Sequence, residues 1–257
     1  MTEAEWLAAD EPERMFVFLG DRVSLRKWRL FACACCRRHW HWVEDTPAAT
    51  AVEVAERFAD GRAAEKKLRA AQEQAQVTAT QFYADYRQTL GVEPHTAHLH
   101  ASACAVAALP PSGWRGTPHA ALRAAHYAAQ TYACEANNSL RSESAAWLRD
   151  RAAETAMQAS VLRDIVGNPF RPARFNPAWQ TADVRFLAEG IYAERAFDRL
   201  PILADALQDA GCDSEDLLTH FRDPALLPWD HPDGARGPAP VSHALGCWAL
   251  DRVLGFS

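Results

Sequence analysis

The chain has 257 residues, a formal net charge of −6 and a hydrophobic share of 49%. This length suits one large domain or two small ones, and the apolar share is sufficient for a core without external staples. The acidic balance argues against a general nucleic-acid binder, whose binding domain is usually basic.

The sequence also predicts a soluble, cytoplasmic protein. The N-terminal stretch MTEAEWLAADEPER is acidic and lacks the apolar segment of a signal peptide. No stretch approaches the roughly 18 apolar residues of a membrane helix. The seven cysteines are odd in number and three of them cluster at positions 33, 35 and 36. Free thiols in a reducing compartment are the simplest interpretation.

Nearly every segment has helical periodicity, with abundant alanine and sparse glycine, so the predicted fold is all-α. Residues suited to N-caps precede several of the predicted helices: Thr2, Asp10, Ser24, Thr46 and Ser142. Pro12 suits a first helical turn. In the first two thirds of the chain, helices are predicted at 2–9, 12–19, 25–44, 47–60, 62–90, 94–108, 118–137 and 142–166, with a loop at 110–118.

The segment GNPFRPARFNPAW, residues 167–179, excludes regular helix because it contains three prolines. Its aromatic residues predict an extended strap that packs on the helices. Further helices are predicted at 181–195, 199–210, 214–222 and 241–254, with a loop at 223–240. The whole is an irregular bundle of about ten helices. The strap separates a main bundle, 1–166, from a C-terminal helical subdomain, 167–257, packed on it; one single domain is the alternative.

The segment FACACCRRHWHW, residues 31–42, concentrates thiols, imidazoles and indoles. On a helical wheel Cys35, Cys36 and His39 fall on the broad apolar arc, which is typical of a core helix. The pair Cys35 and His39 offers two zinc ligands, but its spacing matches no standard zinc pattern. Cys33 lies beside arginines, which is a weak signal for a reactive thiol.

The basic face of residues 22–38 suggests contact with an anion or an acidic partner, chiefly through Arg37 and Arg38. Nucleic acid is an unlikely partner for so acidic a chain. A solvated face paired with carboxylates is the preferred interpretation.

Near the C-terminus, Cys212, His220, His243 and Cys247 form a set of thiols and imidazoles suited to tetrahedral zinc. His243 and Cys247 are four residues apart and share a face of the predicted terminal helix. The alternative is that both cysteines are buried and that His220 lies at a helix C-terminus, where a cation is favoured. Residues His95, His98 and His100 are predicted to be surface histidines.

The sequence contains no Walker, GxGxxG, GxSxG, HExxH or CxxC pattern. An enzyme of unrecognised type would have its site in a groove beside the strap. There Arg171 and Arg174 would bind an anion, oriented by Asn168.

Five phrases spread over most of the chain are distinctive: RLFACACCRRHWHW, AVEVAERFADG, DIVGNPFRP, FDRLPILADALQDAGC and GCWALDRVLG. Together they resemble a family of uncharacterised bacterial proteins. The resemblance implies no established activity, cofactor or catalytic residue. It implies that an aliphatic residue usually stands at position 39, which favours the core interpretation of His39. The loop before the GCW helix is much shorter in that family, so the 223–240 segment departs from the pattern.

Three functions follow from these features. The first is a non-catalytic module that acts through protein–protein contact or regulation. The second is a zinc-stabilised module centred on Cys212, His220, His243 and Cys247. The third is the anion-binding enzyme with its groove near Arg171.

Overall fold

A computed structural model describes residues 1–89, 103, 119–137, 144–223 and 243–256. These ranges contain eleven α-helices and no strand, which confirms the all-α prediction. The helices are α1 (Glu3–Ala8), α2 (Pro12–Leu19), α3 (Leu25–Arg37), α4 (Pro47–Ala59), α5 (Glu65–Thr89), α6 (His119–Asn137), α7 (Ala145–Val166), α8 (Ala182–Glu194), α9 (Leu200–Asp209), α10 (Glu215–Arg222) and α11 (Trp248–Leu254).

Several predictions fall outside the described residues. They are the helix at 94–108 with its histidines, the loop at 110–118, the Ser142 cap and the loop at 223–240 beyond its first residue. Among the described helices, none combines the length and the hydropathy needed to cross a bilayer.

Three of the predicted N-caps make the expected hydrogen bonds. Thr2 and Glu5 form a reciprocal capping box: the Glu5 amide donates to Thr2 Oγ1 at 3.3 Å, and the Thr2 amide donates to Glu5 Oε2 at 2.7 Å. Ser24 and Thr46 each accept a bond from the third residue of the helix that follows. The sequence thus locates these helix starts correctly.

The Asp10 cap is wrong. Because Pro12 opens α2, the residue directly before the helix is Glu11, whose side chain makes no capping bond. Helix α7 begins at Ala145, later than the predicted start at 142. Its cap is Ser144, whose hydroxyl oxygen accepts a hydrogen bond from the Trp147 amide.

Two predicted helices are shorter than expected. Helix α3 ends at Arg37, and a 3-10 turn, Trp40–Trp42, follows it. The chain leaves the helix at residues 38 and 39, where the side chains of Arg38 and His39 both reach Glu154. The terminal helix starts at Trp248 because Gly246 has a φ of +88°, which no right-handed helix contains.

The chain divides into two compact units. Unit 1 contains residues 8–159 with Met1, and unit 2 contains residues 160–257 with residues 2–7. The division falls within α7, so this helix contributes buried side chains to the core of each unit.

In unit 1, helix α3 packs against α4 and α6. Phe16 stacks on Trp28 with ring centroids 4.3 Å apart and meets the edge of Phe31 at 5.2 Å. The thiols of Cys33 and Cys35 are buried, and burial raises the pKa of both well above its ordinary value. The core interpretation of this segment is therefore confirmed, and the suggestion of a reactive Cys33 is wrong because its thiolate is disfavoured.

The basic face of α3 is paired with carboxylates. Arg26 contacts Asp60 at 3.0 Å, and Arg37 contacts Glu56 at 2.8 Å. Arg38 makes two parallel bonds to the two carboxylate oxygens of Glu154, at 2.8 and 2.9 Å. Arg37 and Arg38 were predicted to contact an external anion. Each instead forms an ion pair with a carboxylate of the chain, Arg37 with Glu56 and Arg38 with Glu154.

Glu154 is the most deeply buried of these carboxylates, with a fully buried side chain. His39 Nε2 lies 3.5 Å from its Oε1, and the Gln158 amide approaches the same oxygen at 3.4 Å. Burial alone would raise the pKa of Glu154, but the Arg38 cation and His39 lower it to about 2. The carboxylate is ionised at neutral pH and joins the end of α3 to α7 within unit 1.

We expect Glu154→Gln to lower the free energy of unfolding at neutral pH by about 3–5 kcal/mol, because it leaves the buried Arg38 cation without its counterion. The same change at Glu65, which pairs with Arg69 on the exposed surface of α5, serves as the control. Glu65→Gln should lower the free energy of unfolding by only about 0–1 kcal/mol. Urea unfolding of both variants measures the difference.

The pH dependence has a defined sign. The folded-state pKa of Glu154 is lowered, so its contribution is complete above the unfolded-state pKa of about 4.3 and is lost as pH falls toward the folded value. The stability gap between wild type and Glu154→Gln should therefore narrow below about pH 4.3. If the stability difference between wild type and Glu154→Gln stays constant as the pH falls below about 4.3, this role of the ion pair is contradicted.

Candidate metal centre

Unit 2 is held by a hydrophobic cluster from α8, α9, α10 and α11. Trp179, from the 3-10 turn that ends the strap, is buried in this cluster and meets Phe175 edge-on at 5.6 Å. Phe170 at the start of the strap is 37% exposed. Two of the three strap aromatics therefore pack on the helices as predicted.

Four side chains with metal-binding atoms converge beside this cluster. Asp164 lies on the buried face of α7, and His220 lies in the last turn of α10. His243 precedes α11 in irregular chain, and Cys247 is the N-cap residue of α11. One candidate ligand atom from each residue lies within 4.8 Å of all the others. Residues distant in sequence thus form a compact set of oxygen, nitrogen and sulfur donors.

The individual distances are short. Asp164 Oδ1 lies 2.8 Å from His243 Nδ1 and 3.2 Å from His220 Nε2. The same His220 Nε2 lies 3.1 Å from Cys247 Sγ. In a tetrahedral zinc site, bonds of about 2.0–2.3 Å place neighbouring ligand atoms roughly 3.3–3.7 Å apart. The donors are therefore already close to the edges of such a tetrahedron.

Burial and charge prepare the carboxylate for binding a cation. The Asp164 side chain is 1% exposed, and its Oδ2 accepts a hydrogen bond from the Ala244 amide at 2.9 Å. Burial would raise the pKa of Asp164, but His243 and His220 hold it far below its ordinary value. An ionised carboxylate thus lies among two imidazoles and a thiol, with one of its oxygens aimed at them.

The second ring nitrogen of His243 lacks a partner. The side chain is completely buried, and among the described residues its Nε2 atom has no hydrogen-bond partner. Leaving a buried polar nitrogen unsatisfied costs about 1–3 kcal/mol, so such atoms usually mark an ion, a water or a functional role. A metal ion bound through Nε2 would remove this penalty, whereas an ion bound through Nδ1, the nitrogen 2.8 Å from Asp164 Oδ1, would not.

The arrangement around His220 differs from that of a nucleophilic triad. In a triad the imidazole contacts the nucleophile with one nitrogen and the carboxylate with the other. Here a single nitrogen, Nε2, faces both Cys247 Sγ and Asp164 Oδ1. Donors that share one target point are typical of metal coordination. Moreover, Cys247 is fully buried, which closes it to a substrate.

Three of the four predicted zinc ligands are thus brought together: His220, His243 and Cys247. The fourth, Cys212, is not in the group; it lies in the hydrophobic cluster, where burial raises its pKa. Asp164 stands in its place. The predicted helical spacing of His243 and Cys247 is wrong as well, because a turn rather than a helix brings them together.

Sequence reasoning missed Asp164, although a signal was present. Along α7 the buried stripe contains Val161, Leu162 and Ile165, and Asp164 falls on the same face. A carboxylate on an apolar stripe requires a partner of opposite charge or a metal. The sequence alone did not show which distant residues would supply it.

The strap arginines do not define an open anion site. Arg171 Nε lies 2.8 Å from Glu3 Oε1, and the Asn168 amide donates to the same oxygen at 2.7 Å. A carboxylate of the chain therefore takes the position predicted for an external anion. Arg174 is exposed.

Comparison of the chain with protein families, with curated proteins and with solved structures finds no match in any of the three.

Gly167, which ends α7 just beyond Asp164, lies against Trp248 at the start of α11. Its φ is +78°, and a Cβ atom built there would lie 2.9 Å from Trp248 Cγ. The Trp248 ring is also 4.9 Å from the His220 ring. The close approach of α7 and α11 beside the candidate ligands therefore requires glycine at position 167.

We expect Gly167→Ala to destabilise unit 2 by about 1–3 kcal/mol, because it combines positive-φ strain with a steric clash against an indole ring. Gly190 in α8 provides the control, since a Cβ there would meet nothing within 4 Å. Gly190→Ala should be stabilising by up to about 1 kcal/mol. Thermal melts of the two variants test this; equal effects at both positions would contradict the close packing.

Proposed function

We propose that this protein is a zinc-stabilised helical module whose zinc ion is bound by Asp164, His220, His243 and Cys247. The observation that carries the proposal is the convergence of a carboxylate, two imidazoles and a thiol within 4.8 Å of one another. The short distances from Asp164 Oδ1 to His243 Nδ1 and from His220 Nε2 to Cys247 Sγ, 2.8 and 3.1 Å, support it.

The donor set favours zinc over other common ions. Calcium and magnesium take oxygen ligands almost exclusively, so a site with one thiol and two imidazoles suits them poorly. Zinc accepts sulfur, nitrogen and oxygen donors in one tetrahedron. Binding of the ion would deprotonate the Cys247 thiol. The resulting thiolate and the Asp164 carboxylate would together neutralise the charge of the ion.

The site is better suited to a structural role than to catalysis. Four protein ligands fill a tetrahedral zinc ion, whereas a catalytic zinc keeps one position for water or substrate. Three of the four residues are buried, and the His220 side chain is only 13% exposed. The ion would join the end of α7, the end of α10 and the segment before α11, so its binding energy would contribute to folding.

The protein-contact role, predicted from the lack of catalytic patterns and from apolar helices joined by an aromatic strap, stays a prediction. It is compatible with a structural ion, which would hold unit 2 in one conformation without taking part in chemistry. The anion-binding enzyme is the less favoured alternative, because Glu3 already contacts Arg171 and Asn168.

We expect full-length protein purified without chelator to contain about one zinc ion per chain, the capacity of one tetrahedral site. Cys247→Ala should lose most of this zinc. Cys212→Ala is the matched control, since both cysteines are buried in the same hydrophobic cluster and lose similar packing. Elemental analysis of the three proteins measures the difference.

Chelation provides a second readout. A strong chelator should lower the melting temperature of wild type and of Cys212→Ala, but leave that of Cys247→Ala unchanged. Cobalt substitution should produce a thiolate-to-metal charge-transfer band that is absent in Cys247→Ala. Zinc content near zero in wild type, together with a melting curve insensitive to chelator, would refute the proposal.

A further inference from the structure

Unit 1 contains a cavity that the metal centre does not involve. Its volume is about 440 Å³, and it is lined by the start of α2, one side of α6 and one side of α7. Pockets for small molecules usually have volumes of about 300–1,000 Å³. The cavity is therefore large enough for a metabolite-sized ligand.

The apolar part of the lining is built from small side chains. Ala125 and Ala129 of α6 and Ala152 of α7 line it, with Leu122 and Leu148 beside them. Leu148 is 49% exposed, whereas Ala125 and Ala129 are each only 2% exposed. An apolar group of a ligand would cover Leu122, Leu148 and Ala152.

Arg151 contributes a positive charge to the cavity. Among the described residues its buried Nε atom has no hydrogen-bond partner, Nη2 lies 3.4 Å from Nδ1 of His126, and the guanidinium lies 5.8 Å from the centroid of the Trp147 ring. No carboxylate in the described part of the chain pairs with it. Burial lowers the pKa of His126, and the Arg151 cation lowers it further, so this imidazole is a neutral neighbour. The guanidinium thus retains the capacity to bind an anion.

Negative charges also line the cavity. Asp10 and Glu11 before α2 and Glu13 in its first turn contribute three carboxylates. Glu13 lies close enough to act electrostatically on His126. Nevertheless, none of these three carboxylates forms an ion pair with Arg151 in the described part of the chain. The cavity therefore contains opposite charges that are not paired with one another within the described ranges.

We propose that this cavity binds a small zwitterion with an apolar body, such as an amino acid with an apolar side chain. Its carboxylate contacts Arg151, with Arg123 adding positive charge, and its ammonium group faces Glu13 and the neighbouring carboxylates. The apolar side chain packs against Leu122, Leu148 and Ala152. This ligand satisfies both sets of charges and covers the exposed apolar surface.

Isothermal titration of the full-length protein with three related probes tests the charge requirement. L-phenylalanine carries both charges, 3-phenylpropionate carries only the carboxylate and 2-phenylethylamine carries only the ammonium group. L-phenylalanine should bind with a Kd of about 1 mM or tighter, and about tenfold or more tighter than either of the others. No heat of binding for L-phenylalanine, or equal affinity for 3-phenylpropionate, overturns the proposal.

Variants test the location. Arg151→Gln should weaken L-phenylalanine binding about tenfold or more, by removing the carboxylate contact. Arg149→Gln is the matched control, because Arg149 lies on the same helix, is 75% exposed and does not line the cavity. Ala152→Leu fills the groove from an exposed position and should abolish binding while the circular-dichroism spectrum stays unchanged. Wild-type affinity in both Arg151→Gln and Ala152→Leu refutes the assigned site.

Discussion

Buried carboxylates on α7 govern how the chain is organised around this helix. An ionised carboxylate removed from water is stable only when cations, hydrogen-bond donors or a metal surround it. Glu154 meets this requirement through Arg38 and His39 in unit 1. Asp164 meets it through His220, His243 and the Ala244 amide in unit 2. In each unit, segments distant in sequence must reach α7 before its carboxylate can be buried.

The two carboxylates differ in what surrounds them. Glu154 is paired with a guanidinium that matches both of its oxygens, so its charge is compensated by the protein itself. Asp164 is surrounded by imidazoles, which are neutral ligands when a metal is bound, and by Cys247. An arginine forms a closed ion pair with Glu154, whereas two imidazoles and a thiol beside Asp164 form a set of donors that could hold a metal ion.

The cysteines show the same dependence on surroundings. Cys33, Cys35 and Cys36 lie close together in sequence and bury their thiols between helices, where they act as small apolar groups. Cys247 is isolated in sequence and just as deeply buried, yet its sulfur lies 3.1 Å from an imidazole nitrogen. Clustering in sequence is therefore a poor guide to which thiol lies beside other metal-binding atoms in this protein. The decisive feature is which polar atoms share the buried space around the sulfur.

Local chemistry determined much of this protein. Helical periodicity predicted the all-α fold, capping residues located the starts of α1, α3 and α4, and the prolines of 167–179 excluded helix there. These features depend on neighbours a few residues apart, so they can be read from the chain directly. Only the tertiary structure decided that α3 stops at Arg37, that Asp164 replaces Cys212 and that a turn at Gly246 brings His243 to Cys247. Those outcomes follow from contacts between distant segments, where the cost of burying one charge selects its partners.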